Sequence, residues 1–349
     1  MLACVRRLLP ALLALLCLPG AASAAPPNVL VVETDDQTVA DMAAMPRTRE
    51  LIGERGVTFR NSVVSLSQCC PSRATLLTGQ YAHNHGVLDV RRPFGGYDRL
   101  RGAETLPVWL QRAGYATAVV GKYLNGYGAR DRFEVPPGWS EFHGLLGGET
   151  YRFYDYTLNS NGALHRFGGA PADYQTDMIT DRAERLIGSM SSAPRPWFLW
   201  VTYVAPHVAR PRDLMDPVAL ASTVPAPRHR NAFTGAAMPR GPAFDEPDVR
   251  DKPPAIRRRP RLGTALEAQL QETWRQRRAG LLAVDEGVAR LLGKLGAAGT
   301  LDDTLIVFTS DNGYLLGEHR VPSGKVLPYE PSIRVPLLVR GPGIPRGVT

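Results

Sequence analysis

A mostly parallel α/β sheet covered by helices on both faces is the fold class this sequence predicts. Short apolar runs alternate with helix-like segments through residues 25–349, the pattern of repeated strand–helix units. Polar clusters follow those runs: Asp35-Asp36, Lys122, His207 and Asp311-Asn312 each stand just after an apolar strand. Open α/β sheets gather functional residues at such carboxyl ends. The composition, 44% hydrophobic and 21% charged over 349 residues, supports a packed core and excludes a disordered chain.

Residues 1–24 stand apart. Arg6 and Arg7 precede an apolar run from Leu8 to Leu18, and Ala22-Ser23-Ala24 has the small-x-small form of a cleavage site. That is the layout of a secretory signal peptide. The run is short for a bilayer span, and no later segment is apolar for long enough to cross one. The expectation is therefore an exported chain, secreted or extracytoplasmic, with residues 25–349 as one domain and no stable membrane insertion.

In chain order, Asn28 to Val32 reads as a strand ending at Glu33-Thr34-Asp35-Asp36, and Arg47 to Arg55 as a helix. A second helix is expected just after Cys69-Cys70, near Ser72 to Leu77. Thr105 to Ala113 looks helical, with the strand Ala116 to Val120 behind it. Asp177 to Met190 is amphipathic and precedes the strand Trp197 to Val204. Val208 to Leu262 is rich in proline and poor in periodicity, as an extended insertion over one face would be. Leu266 to Leu295 predicts a long helix, Thr304 to Thr309 a strand, and Arg334 to Val339 a last strand.

Charge and cysteine usage narrow the chemistry. The formal charge of +8 becomes +6 without Arg6 and Arg7. Arg257-Arg258-Arg259-Pro260-Arg261 sits in a proline-rich stretch and reads as a solvated loop rather than a nucleic-acid patch. A basic balance also suits an anionic substrate. Of four cysteines, Cys4 and Cys17 belong to the leader, which leaves only the adjacent Cys69 and Cys70. Neighbouring cysteines rarely bridge one another. Two such thiols in an exported chain without a disulfide framework call for a chemical explanation.

Asp35, Asp36, Asp311 and Asn312 offer hard oxygen ligands, which suit Ca²⁺ or Mg²⁺ rather than zinc. Either pair alone is also what a turn or helix cap looks like. Together, each behind a strand, they predict a metal site.

The run Ser67-Gln68-Cys69-Cys70-Pro71-Ser72-Arg73, continuing to Thr78-Gly79, resembles the signature of the sulfatase family: Cys-x-Pro-Ser-Arg, a helix, then Thr-Gly. The resemblance extends through Pro27 to Asp36, Gly121-Lys122-Tyr123, Ala205-Pro206-His207, Thr309 to Gly313, and Lys325 ahead of Arg334-Val335-Pro336-Leu337. It implies an alkaline-phosphatase-like three-layer sandwich with a mostly parallel central sheet. It implies that Cys69, not Cys70, is oxidised to formylglycine (3-oxoalanine) by a separate formylglycine-generating enzyme. It implies one Ca²⁺ held by Asp35, Asp36, Asp311, Asn312 and the modified Cys69. The catalytic set it implies is Cys69, Arg73, Lys122, His207, Lys325 and Asp311, acting on a sulfated carbohydrate or aryl sulfate. Cys69-Cys70, Gly121 to Asn125, and Phe244-Asp245-Glu246-Pro247 through Asp251-Lys252-Pro253 look most like the N-acetylglucosamine-6-sulfatase branch.

Two departures stand out. Many members carry a histidine two residues after the first lysine, where this chain has Leu124, so His83, His85 or another group would assist sulfate release. Members usually continue beyond the Arg-Val-Pro-Leu strand, so a small C-terminal subdomain is expected to be missing. Two alternatives stay open: a phosphonate monoester or phosphodiester hydrolase on the same centre, and a non-catalytic binder of sulfated glycans.

Overall fold

The computed structural model describes residues 25–349, and the signal-peptide reading falls outside the described residues. One mixed sheet runs through the molecule. In chain order its strands are β1 (Asn28–Thr34), β2 (Val57–Phe59), β3 (Ala116–Gly121), β4 (Glu141–Leu145), β5 (Thr157–Ser160), β6 (Ala163–Arg166), β7 (Trp197–Thr202), β8 (Thr304–Ser310) and β9 (Leu337–Arg340). Their spatial order is β2-β9-β8-β1-β7-β3-β4-β5-β6. The five central strands, β8 to β4, are mutually parallel, and both edges turn antiparallel.

Helices cover both faces, which is why the central strands are apolar on both sides. On one face Leu30 and Val32, Leu199 and Val201, and Ile306 and Phe308 meet the helices Gln175–Ser191 and Thr264–Ala297. Side chains alternate along a strand, so Val31, Val119, Phe198 and Trp200 point the other way, under Cys70, Ala74 and Leu77 of the helix Cys69–Thr78. The result is the expected three-layer α/β arrangement.

Several boundaries differ from the sequence reading. The second helix includes both cysteines instead of starting behind them. Gln68 is extended, Cys69 opens the first turn, and Pro71 fits there because first-turn N–H groups have no intrahelical acceptor. Gly79, at φ 65°, closes the helix by donating its N–H to the Thr75 carbonyl. The last strand starts at Leu337, not Arg334, because the Arg334 N–H closes the short helix Glu330–Ile333 and Pro336 has no N–H to give. The Arg47 to Arg55 helix is a short α turn, Pro46–Thr48, widening into a π turn, Arg49–Gly53.

The proline-rich insertion forms only the short turns Pro227–His229 and Pro254–Arg257. It is pinned through Leu220, Met238 and Leu262 to Leu270, Tyr314 and Leu316. Its Phe244 to Lys252 portion clasps the loop that leads to Lys325: Asp245 N–H donates to Gly317 O, and His319 Nδ1 lies 2.6 Å from Glu246 Oε2. Among the described residues no helix is long and apolar enough to cross a membrane.

Candidate active site

Register brings the site together. Thr34 of β1 lies beside Ser310 of β8, Glu33 beside Thr202 of β7, and Thr202 beside Gly121 of β3, so four parallel strands end at one level. The ladder continues past those ends: Asp311 N–H donates to Thr34 O (3.1 Å) and Lys122 N–H to Thr202 O (3.1 Å). The next side chains, Asp35, Asp36, Lys122 and Asp311, therefore converge. Gly121 makes this approach possible: it sits at φ 111°, and a Cβ there would lie 2.0 Å from Thr202 O. Gly313 is needed for a similar reason, since its Cβ would lie 2.0 Å from Pro331 O.

Cys69, at the head of its helix, is 2% exposed and faces this cluster from the other layer. Ligand atoms of Asp35, Asp36, Cys69 and His207 all lie within 4.8 Å of one another. Lys325 Nζ lies 2.7 Å from Cys69 Sγ and bonds Asp36 Oδ1, while Lys122 Nζ lies 2.5 Å from Asp35 Oδ2. Arg73, fully buried one turn on from Cys69, donates from Nε to Asp311 Oδ2 (2.8 Å) and from Nη1 to Lys122 O (3.0 Å). Asn312 Nδ2 donates to Asp36 Oδ1 at 2.6 Å, and Asp36 N–H to Asp311 Oδ1 at 3.2 Å. All the residues predicted for the site thus meet in one place.

Electrostatics follows from this pairing. Burial pushes the Asp35 carboxyl up, but Lys122 and His207 outweigh it and hold the group down at about 2. Asp36 is lowered in the same way, against its own burial, by Lys325 and His207. Both lysines are raised well above the usual range because these carboxylates outweigh the cost of burying an ammonium. Burial, reinforced by Asp35, pushes the Cys69 thiol up to about 12. A thiol held there is a poor nucleophile at neutral pH. Burial lowers His207, whose Nδ1 lies 2.8 Å from Val208 O. A carbonyl only accepts, so Nδ1 carries the proton and Nε2, 3.7 Å from Asp36 Oδ2, is bare.

The donor set fits a hard cation. Asp35 Oδ1 and Asp36 Oδ2 are buried acceptors without a hydrogen-bond partner, which is costly unless a cation takes them up. The two oxygens of Asp311 engage Arg73 and the Asp36 amide, yet each retains a lone pair.

Three contributors were missed in the sequence. Arg277, on the buried stripe of the long helix, donates to Asp36 O (2.5 Å) and Pro206 O (3.2 Å). Its signal was a charge among Leu270, Leu281 and Val284 at helical spacing. Glu33 lies under the site, 3.6 Å from Arg73 and accepting 2.8 Å from Trp200 Nε1. Tyr151 stacks on His207 with ring centroids 4.1 Å apart and lies 5.0 Å from the Lys122 ammonium. His83 and His85 are engaged with neighbours on their own segment and its helix. His85 Nε2 faces Thr75 and its Nδ1 accepts from Val87 N–H, while His83 stacks on Tyr81.

The chain matches the family model described as Sulfatase over residues 27–348. It is 37% identical over 350 residues to an arylsulfatase of Volvox carteri, covering 95% of this chain and 54% of that one. It is 36% identical over 331 residues to the N-acetylglucosamine-6-sulfatase of Capra hircus, covering 91% of this chain and 56% of that one. The chain thus spans about half the length of these curated relatives. A solved structure in complex with its substrate D-glucosamine-2-N,6-O-disulfate superposes with a TM-score of 0.71 at 27% identity, covering 92% of this chain and 72% of that one.

Proposed function

The chain belongs to the sulfatase family, and from that premise we propose that residues 25–349 form a domain that hydrolyses sulfate esters of sugars or aryl alcohols. One observation carries the reading. Cys69 heads a helix inside a cage of two aspartates, two lysines, a histidine and an arginine, with its thiol too strongly held to act as a thiolate. A formylglycine at position 69, made by a separate modifying enzyme, would supply through its hydrate a hydroxyl nucleophile in place of the thiol. Asp35, Asp36, Asp311 and Asn312 would hold a Ca²⁺, which supplies positive charge against the sulfate oxygens and the attacking oxygen.

The protein's own groups do the rest. Lys122 and Lys325 are both protonated in the resting site because buried carboxylates face them, so they present positive charge to the sulfate. Asp311 would take the proton that the position-69 hydroxyl loses as it attacks sulfur. Lys325, beside position 69, would give a proton to the departing alcohol oxygen, and both would exchange protons with water to reset. His207 offers a bare Nε2 that takes up the proton lost from position 69 when sulfate departs, the task left open by Leu124. Arg73 has a buried Nη2 with no partner, a donor free to orient the hydrated side chain.

Export, and a sulfated sugar like that of the N-acetylglucosamine-6-sulfatase relative, are parts of the same proposal. The test is co-expression with a formylglycine-generating enzyme. The tryptic peptide Asn61–Arg73 should show one exchange of H₂S for oxygen, located at residue 69. The modified protein should release sulfate from an aryl sulfate faster than it cleaves an aryl phosphodiester. Cys69→Ala should abolish that release, and retained turnover in this variant would sink the reading.

A further inference from the structure

Tyr151 makes contacts that the proposed steps do not use. It lies between β4 and β5, on the wall of a cleft of about 660 Å³ that opens over Cys69. Its ring stacks on His207, with centroids 4.1 Å apart and planes 21° from parallel. The Lys122 ammonium lies 5.0 Å from the centre of the same ring. His207 follows β7 and Lys122 follows β3, so one side chain from a third segment meets both.

Tyr151 is itself held from three sides. Gln175, fully buried at the start of the helix Gln175–Ser191, donates from Nε2 to Thr150 O (3.0 Å) and to Arg152 O (2.6 Å). That one amide grips the backbone on either side of the tyrosine. Arg210 N–H donates to Tyr151 O at 2.9 Å. Asn125 Nδ2 donates to Tyr151 Oη at 2.8 Å, from the turn that follows Lys122. Leu124, just before it, is buried in the core beneath, so Asn125 is the residue that carries this link. Filling space requires none of these hydrogen bonds, whereas holding a ring in one place does.

We infer that Tyr151 is a positioning residue, which holds the His207 ring so that its bare Nε2 stays turned toward Asp36 and position 69. This rests on the proposed sulfate-ester hydrolysis. The His207 ring has one hydrogen bond, between Nδ1 and Val208 O at 2.8 Å. A single bond fixes one point of an imidazole and leaves the ring free to tilt about it. Rotation about the Cβ–Cγ bond would sweep the ring through the space that Tyr151 fills, so the stack removes that freedom. A base works only within hydrogen-bond reach of its proton, so drift of an ångström is costly. The negative face of the tyrosine ring also favours the Lys122 ammonium where it stands. One ring thus keeps a proton acceptor and a positive charge, carried on two strands, in register with each other.

The test uses the modified protein and a small aryl sulfate. Tyr151→Leu, which removes the ring, should lower kcat roughly 10²-fold with KM little changed. Tyr151→Phe keeps the stack and loses only the Asn125 bond, so it should stay within about fivefold of the parent. Tyr151→Met is a second ring-free variant, flexible enough to refill the space should the leucine form not fold. A further readout does not depend on turnover. With ring-¹⁵N-labelled histidine and Ca²⁺ present, His207 should be the Nδ1–H tautomer in the parent and in Tyr151→Phe. In the ring-free variants it should become a mixture with the Nε2–H tautomer. A kcat within about threefold of the parent in the ring-free variants, an equal loss in Tyr151→Phe, or a loss confined to KM would overturn the inference. If the parent itself releases no sulfate, the hydrolase reading falls instead, and the tautomers decide alone. A mixture only where the ring is missing supports the positioning role, and one unchanged tautomer throughout removes it.

Discussion

Each face of the central sheet sends one fully buried arginine to the same strand ends, and the two are neutralised in opposite ways. Arg73, from the Cys69–Thr78 helix, is met by carboxylates, Asp311 at 2.8 Å and Glu33 at 3.6 Å. Arg277, from the helix on the other face, is met chiefly by backbone carbonyls of Asp36 and Pro206, with Asp41 at 3.4 Å and the Tyr314 ring 4.5 Å away. Carboxylates respond to a change of charge, so Arg73 is tied to the electrostatics of the proposed reaction. Carbonyls respond to shape, so Arg277 fixes the turn in which Asp36 takes φ 70°, a left-handed conformation that aspartate tolerates better than most residues. On the proposed reading, one arginine belongs to the chemistry and the other to the scaffold that aims it.

The largest effect is expected at Arg73. Arg73→Ala strands Asp311 and Glu33 in the interior, and urea unfolding should lose about 3–5 kcal/mol. Sulfate release should fall by roughly 10²–10³-fold. Arg277→Met should cost about 2–3 kcal/mol through its unpaired carbonyls. Its signature is weaker Ca²⁺ binding by calorimetry with the pH profile of kcat unmoved. If the two variants shift the pH profile alike, the distinction between them collapses.

His143 on β4, whose ring lies 3.4 Å from Glu141 Oε2 and bonds neither arginine, gives a control. Burial, with Arg182 adding to it, holds this ring down at about 4. The unfolded ring binds a proton first, so stability should decline as pH falls from about 6.5 toward 4, by about 3 kcal/mol. His143→Gln should remove that slope in denaturation measured at several pH values. Asp35, held at about 2, contributes until the solution is far more acidic. The smallest change is expected for Glu33→Gln. Burial, only partly offset by Arg73, raises Glu33 to about 7, so the neutral amide resembles the form already favoured in mild acid. At pH 6 its stability should stay within about 1 kcal/mol of the parent.

The site was legible where chemistry and strand ends coincide. Asp35, Asp36, Lys122, His207 and Asp311 each follow an apolar run that is a parallel strand, so position in the pattern gave position in space. The central strands were legible because burial on both faces writes a continuous apolar run. The antiparallel edge β4 to β6 was not: β6 reads Ala-Leu-His-Arg and is mostly exposed, so no apolar pattern marks it. Arg277 and Glu33 were hidden because their roles depend on partners far off in sequence, at Asp36 and Arg73. The Phe244 to Lys252 segment is visible in the sequence as a motif, but its task, clasping the loop before Lys325, emerges only from the Glu246–His319 and Asp245–Gly317 pairs.

The strand order also sets a timetable. β1 emerges first from the ribosome, yet its neighbours in the sheet are β7 and β8. Asp311 is 242 positions beyond Cys69 and Lys325 is 256 beyond it. At roughly 5–20 residues per second, synthesis leaves on the order of ten to fifty seconds between the appearance of Cys69 and the arrival of Asp311. During that interval the sequence around Cys69 has no cage to close over it, and afterwards the thiol lies beyond the reach of a protein-sized catalyst. The order of the strands therefore gives the proposed oxidation of Cys69 a deadline, set by the length of chain still to be made.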